Sequence, residues 1–203
     1  MNPRRLSLLP IFVIALGVSI AWVVTRGRTE AHALERYGTL PVFAFSGLDG
    51  KPFGSQQLDG KVWIVDFIFT SCSGTCPIMS THMAEVQRGL ADVDGVRLVS
   101  ITCDPERDTL ERLAEYAKGY DADRRRWAFL RGDKAATQKF SVGCLKLGMH
   151  DSTEQEQREG MEPIVHSQRF VLVDRDRQIR GFFDGTDPAD VKRLIAAARQ
   201  LAH

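Results

Sequence analysis

Charge of one sign is not in excess in this chain. Its 27 Lys and Arg residues stand against 26 Asp and Glu, a formal net charge of +1. No basic block stands out, which argues against nucleic acid as a partner. Cysteine is sparse. Four in 203 residues make no dense disulfide framework, so the fold does not depend on bridges. No internal repeat is present. One stretch lacks charge altogether: from Leu6 to Val24 every residue is apolar or small apart from Ser7 and Ser19. About twenty such residues suffice to cross a bilayer as a helix.

That stretch is expected to be a membrane anchor. Arg4 and Arg5 precede it and Arg26 and Arg28 follow it, so the orientation signal is nearly balanced. The N-terminus is placed in the cytoplasm, because the remaining chain must be exported if its thiols are to work. Pro10 is tolerable in the first turn or so of a helix. A cleaved signal peptide is the competing reading. Ala31-His-Ala33 has a small-x-small form, but Arg26, Arg28 and Glu30 separate it from the apolar run. The expected organisation is an anchor or signal segment over 1–28, a polar tether over 29–40 and one domain over 41–203. About 175 residues follow Arg28, enough for a sizeable core.

Within the domain, Pro41 to Phe53 reads as a short hairpin around Asp49-Gly50. Val62-Trp-Ile-Val-Asp-Phe-Ile-Phe69 is a continuous apolar run, as in a central strand buried on both faces; Asp66 within it needs a partner. A helix is predicted from Pro77 to Leu90, with Met79, Met83, Val86 and Leu90 on its buried face. Val96 to Thr102 is a strand. Asp108-Thr-Leu-Glu111 has the form of a capping box for a helix ending at Gly119. Trp127 to Leu130 is a strand and Lys134 to about Val142 a helix. Residues 148–165 are polar and read as an irregular exposed loop. Strands Gln168–Val173 and Gln178–Phe183 form a hairpin. A last helix from Asp187-Pro188 carries Val191, Leu194, Ile195, Ala198 and Leu201. This order points to an α/β sandwich around a mixed sheet.

The chemistry concentrates in Phe69-Thr-Ser-Cys-Ser-Gly-Thr-Cys-Pro77. Cys72 falls at the end of the central strand and Cys76 at the start of the helix, the edge where sites form in open α/β sheets. Helix N-terminal amides favour thiolate over thiol, which makes the sulfurs nucleophilic and ready for metal. Gly74 is expected to let the loop curve tightly. The three-residue gap can aim both sulfurs at one external point. Thiolates select soft ions such as Cu(I), and an added imidazole suits Cu(II). Two sulfurs leave such a site under-ligated. His166, in Ile164-Val-His-Ser167, is the best third ligand if its strand neighbours the cysteine strand.

Four blocks carry a resemblance. Val65-Asp-Phe-Ile-Phe-Thr-Ser-Cys-Ser-Gly-Thr-Cys-Pro-Ile-Met79 resembles the copper-binding loop of the Sco/SenC family. Ser100-Ile-Thr-Cys-Asp-Pro-Glu-Arg-Asp-Thr109, Trp127-Ala-Phe-Leu-Arg-Gly132 and His166-Ser-Gln-Arg-Phe-Val-Leu-Val-Asp174 follow in family order, covering about 40–200. The resemblance implies a thioredoxin-like fold tethered by one membrane helix, outside the cytoplasm or in the mitochondrial intermembrane space. It implies copper held by Cys72, Cys76 and His166. It further implies a role in assembling the binuclear copper centre of cytochrome c oxidase, by copper delivery, by reduction of that centre's cysteines, or both. The partner is then that oxidase's copper-accepting subunit or another cuproprotein. Ser73 stands where many relatives have proline, and Cys103 where relatives usually carry an apolar residue.

Other residues are read more plainly. A structural disulfide between Cys72 and Cys76 would close too short a loop to add much stability. Cys103 and Cys144 fit core positions, with an auxiliary redox role the alternative for Cys103. A bridge between these two is not readable from sequence. Met79 and Met83 fit the helix core face, and His82 is expected in solvent. Met149, His150 and Met161 fall in the polar loop, where transient contact with copper is the alternative to an ordinary loop. Asp104 is expected to build a turn or orient a site residue, and Asp66 to bond near the cysteine loop. Two other functions compete. One is a thiol-disulfide oxidoreductase using the same pair through a mixed disulfide. The other is a peroxidase, disfavoured because no Pro-x3-Thr-x2-Cys pattern surrounds Cys72.

Overall fold

The computed structural model describes residues 34–203. The apolar run 6–24 and the first five residues of the expected tether, 29–33, lie outside them. Among the described residues no helix is long and apolar enough to cross a membrane.

The strands are β1 (Gly38–Thr39), β2 (Ala44–Ser46), β3 (Pro52–Gly54), β4 (Val62–Ile68), β5 (Val96–Thr102), β6 (Trp127–Leu130), β7 (Met149–Asp151), β8 (Ile164–His166), β9 (Arg169–Val173) and β10 (Gln178–Asp184). Six of them form one sheet in the order β1-β10-β9-β4-β5-β6. β4, β5 and β6 run parallel, while β9 is antiparallel to both β4 and β10. The sheet is therefore mixed, as expected. Every residue of β4 is buried, which accounts for its unbroken apolar run. The expected hairpin is the β2–β3 pair. Its turn uses Gly50 at φ 75°, a region that glycine enters without steric cost.

The helices are α1 (Ser55–Leu58), α2 (Cys76–Gly89), α3 (Leu110–Gly119), α4 (Lys134–Gln138), α5 (Glu154–Arg158) and α6 (Pro188–Ala202). Met79, Met83, Val86 and Leu90 are buried, so the helical period of the sequence marks the core side of α2. α2 packs on α6. A Cβ on Gly89 would meet Ile195 Cδ1 at 2.8 Å, so that glycine sets how closely the two helices approach.

Several expectations are corrected. The helix expected from Lys134 is present and runs two residues further, to Cys144, with residues 139–144 wound as a π-helix. Thr109, not Asp108, caps α3, its side chain accepting from the Arg112 N–H. Asp108 is instead fully buried and binds two other segments. Residues 148–165 are not irregular. They form the β7–β8 hairpin around α5, which carries its own capping box, Thr153 with Glu156. The sheet also reaches into the tether range, because β1 pairs with β10 and Leu40 is buried. His82 is half-buried rather than solvated, with its Nδ1 2.7 Å from the Gly185 carbonyl oxygen. Asp66 bonds across the sheet rather than near the cysteine loop: Ser100 Oγ donates to it at 2.6 Å, and Trp127 Nε1 donates to that Ser100 oxygen.

Candidate functional site

β4 delivers the chain to the sheet edge, and Asp108 fixes it there. Its carboxylate accepts from the Thr70 N–H at 3.1 Å and from the Thr70 and Thr102 hydroxyls, tying the segment before Cys72 to the end of β5. Cys72 N–H then donates to the Phe69 carbonyl at 3.2 Å, closing a tight turn. Gly74 is not among the positive-φ residues, so the curve does not require a glycine backbone there. A Cβ there would meet Glu162 Oε1 at 3.5 Å, an ordinary contact, so space does not require glycine either.

His166 arrives through sheet register. β9 pairs with β4 as Trp63 with Val173, Ile64 with Leu172 and Val65 with Val171. β9 runs antiparallel to β4, so its first residues lie towards the end of β4, and His166, the last residue of β8, stands three residues before them. The imidazole Nε2 stands 3.2 Å from Cys76 Sγ, across 90 residues of sequence. Nδ1 faces the Ser167 carbonyl oxygen at 3.0 Å. A carbonyl only accepts, so the ring proton sits on Nδ1 and the Nε2 lone pair faces the sulfur. The Phe69 ring meets the imidazole edge-on at 5.9 Å. Burial holds the His166 pKa below its ordinary value, against the Ser167 bond, which keeps the imidazole neutral near pH 7.

The two thiols differ sharply. Cys72 is half-buried and Cys76 buried. The neighbouring Cys76 thiol, with the amides of Cys76 and Gly74, lowers the Cys72 pKa to about 6, against the opposing effects of burial and of Glu162. Cys76 is pushed up, by its neighbour Cys72 and by burial. At neutral pH the pair is one thiolate and one thiol. Cys103 is buried, donates to the Ile68 carbonyl at 3.3 Å and is also pushed up, chiefly by burial. All four cysteines are free.

A cavity of about 240 Å³ opens on this corner, lined by Cys72, Thr75, Met161, Glu162, Val165 and His166 among others. A larger hollow of about 690 Å³ near Ser46 and Arg131 holds no thiol, and its Arg131 guanidinium is engaged by the Pro105 carbonyl. Among the described residues no three His, Cys, Asp or Glu side chains form a ready-made metal-ligand set. The arrangement is pairwise: Cys76 with His166, and Cys76 with Cys72.

The remaining candidates fall as follows. Met79 and Met83 are core. Met149 is buried in β7, and His150 points at Glu156, 3.6 Å away. Met161 is exposed and lines the thiol cavity. Asp104 pairs with Arg107 at 3.2 Å and builds the turn before α3. Cys144 is half-buried against the core. Glu162 and Asp108 were missed as site-shaping residues. No local pattern marks Glu162. Asp108 looked like a cap because Asp and Thr both suit that position.

These features define a mixed α/β sandwich with a dithiol and an imidazole gathered at the end of its central strand. The chain belongs to the SCO1/SenC family, whose model matches residues 32–203. The SCO1 protein homolog of Bacillus subtilis is 32% identical over 162 residues, 79% of this chain and 81% of that protein. The structure of BsSco, described with a disulfide switch and as a member of the Sco family of cytochrome c oxidase assembly proteins, is 27% identical with a TM-score of 0.68. That match covers 83% of this chain and 96% of BsSco. Copper-bound ScoI of Bradyrhizobium japonicum shares the fold, at 24% identity and a TM-score of 0.66 over 81% of this chain and 99% of its own.

Proposed function

We propose that this chain is a copper-binding assembly protein acting on cytochrome c oxidase or another cuproprotein, with Cys72, Cys76 and His166 as its ligands. The observation that carries the reading is the 3.2 Å approach of His166 Nε2 to Cys76 Sγ, beside a Cys72 whose pKa is lowered towards the thiolate. A neutral imidazole with a free Nε2 lone pair and a thiolate are both donors that need no proton removed. Cys76 releases its proton to solvent as a metal enters, and its contact with His166 is replaced by a shared ion. Two sulfurs and one imidazole suit Cu(I), and the imidazole extends the site to Cu(II). Copper here is cargo, and the half-buried Cys72 is the sulfur that a partner reaches first.

The apolar run 6–24 anchors the chain, and the thioredoxin-like domain works outside the cytoplasm or in the mitochondrial intermembrane space. Support comes from the run itself, whose nineteen uncharged residues are close to the length that crosses a bilayer as a helix. Copper titration of the full chain in detergent tests the reading. Wild type binds about one copper per chain. His166→Ala weakens Cu(II) binding by about a hundredfold or more, since loss of an outer-shell partner alone costs about ten- to a hundredfold. Unchanged Cu(II) affinity in that variant removes His166 from the site.

A second reading rests on the lowered Cys72 pKa: the pair reduces a partner's disulfide through a mixed disulfide. Fast reduction of a partner-derived disulfide peptide by copper-free protein, unaffected by His166→Ala, favours it over copper carriage.

A further inference from the structure

The polar hairpin and the cysteine loop touch through one carboxylate. Glu162 Oε1 accepts two hydrogen bonds from a single residue, Ser73: from its N–H at 3.0 Å and from its hydroxyl at 2.7 Å. Ser73 directly follows Cys72, and Glu162 stands four residues before His166. The partners are 89 residues apart, so no local preference brings them together.

Glu162 is itself held from behind. Its carbonyl accepts from the Ser152 hydroxyl, and Ser152 N–H donates to the Pro163 carbonyl at 3.0 Å. Met149 pairs with His166 across β7 and β8, and Lys134 grips Asp151 at 2.8 Å. The hairpin is thus braced from His166 back to Glu162, and its free edge closes on the cysteine loop through Ser73. A proline at position 73 would offer neither the N–H nor the hydroxyl, so the contact depends on the serine.

We infer that Glu162 is a positioning residue: with Ser73 it latches the cysteine loop to the hairpin bearing His166, and opening of this latch sets how fast a metal leaves. The metal half of this rests on the copper reading above; the latch itself does not. A half-buried carboxylate receiving two bonds from an exposed serine gives a modest effect, not an absolute lock.

Two readouts on the full chain in detergent test it. In the reduced, metal-free protein, the Ser73 amide proton is protected from exchange. Glu162→Ala speeds its exchange about fivefold to tenfold, as expected for loss of a charge-assisted bond near the surface. Glu162→Gln, whose side-chain oxygen can accept the same two bonds, restores most of the protection. In the copper-loaded protein, Glu162→Ala and Ser73→Pro release copper to a chelator about fivefold to tenfold faster, with copper per chain unchanged. Glu162→Gln stays near wild type. Unchanged Ser73 exchange and copper release in Glu162→Ala overturn the latch. So does a Gln variant as fast as the Ala variant, which reduces Glu162 to its charge. If wild type binds no copper through the three residues, the copper reading falls on its own, and Ser73 exchange then decides the latch alone: protection lost in Glu162→Ala upholds it, and an unprotected wild-type amide overturns it.

Discussion

Asp66 makes the stability of this domain run against the usual carboxylate trend. The side chain is fully buried in β4, and burial raises its pKa from 3.8 to about 7 against the opposing Ser100 hydrogen bond. Its Oδ2 has no hydrogen-bond partner. In the unfolded chain the group ionises near pH 4; in the folded chain it holds its proton to about pH 7. Folding therefore takes up a proton between those values. The stabilisation is fully present below about pH 4 and is lost as pH rises through about 7. The span of about three pH units corresponds to roughly 4 kcal/mol at most, with a slope of about 1.4 kcal/mol per pH unit. Asp66→Asn removes this dependence while its side-chain oxygen can still accept from Ser100. Urea unfolding, followed by the fluorescence of buried Trp63 and Trp127, measures both proteins from pH 4 to 8. The difference between them cancels the other carboxylates. The variant gains on wild type as pH rises, by up to about 4 kcal/mol, and then levels off. A difference that stays flat across this range means that Asp66 titrates alike in both states, and the buried-acid argument is wrong.

The thiol asymmetry is read by alkylation. Cys72 reacts with a pH midpoint near 6, and Cys76→Ala moves that midpoint back towards an ordinary thiol, because the neighbouring Cys76 thiol is its largest cause. A midpoint unmoved in Cys76→Ala contradicts that cause. Cys103 stays unreactive until the domain unfolds, since it is buried and its thiol is held in the neutral form.

Much of the frame was legible because its signals are short-range and repetitive. The unbroken run of β4, the helical spacing of Met79, Met83, Val86 and Leu90, and the Asp49-Gly50 turn each follow from one element's own burial. The approach of His166 to Cys76 was readable only as far as strand adjacency was assumed; the structure brings the two within 3.2 Å, with β9, which follows His166, beside β4. What stayed hidden depends on contacts between distant segments. Asp108 and Thr109 are both good caps, and the choice between them is made by Thr70 and Thr102, which claim the aspartate from neighbouring strands. The β7–α5–β8 hairpin has too few apolar residues to announce itself, since its order comes from Thr153 capping α5 and from bonds at Ser152. Asp66 finds its partner across the sheet because parallel pairing sets it beside Ser100.

The site's central claim is that two sulfurs and one imidazole, brought together from opposite ends of the domain, hold the same ion. X-ray absorption at the copper edge of the loaded full chain reads this directly. Two sulfur neighbours and one imidazole nitrogen from the protein, with the imidazole signal lost in His166→Ala, is the predicted result. A copper with fewer than two sulfurs, or an imidazole signal that survives in His166→Ala, contradicts it.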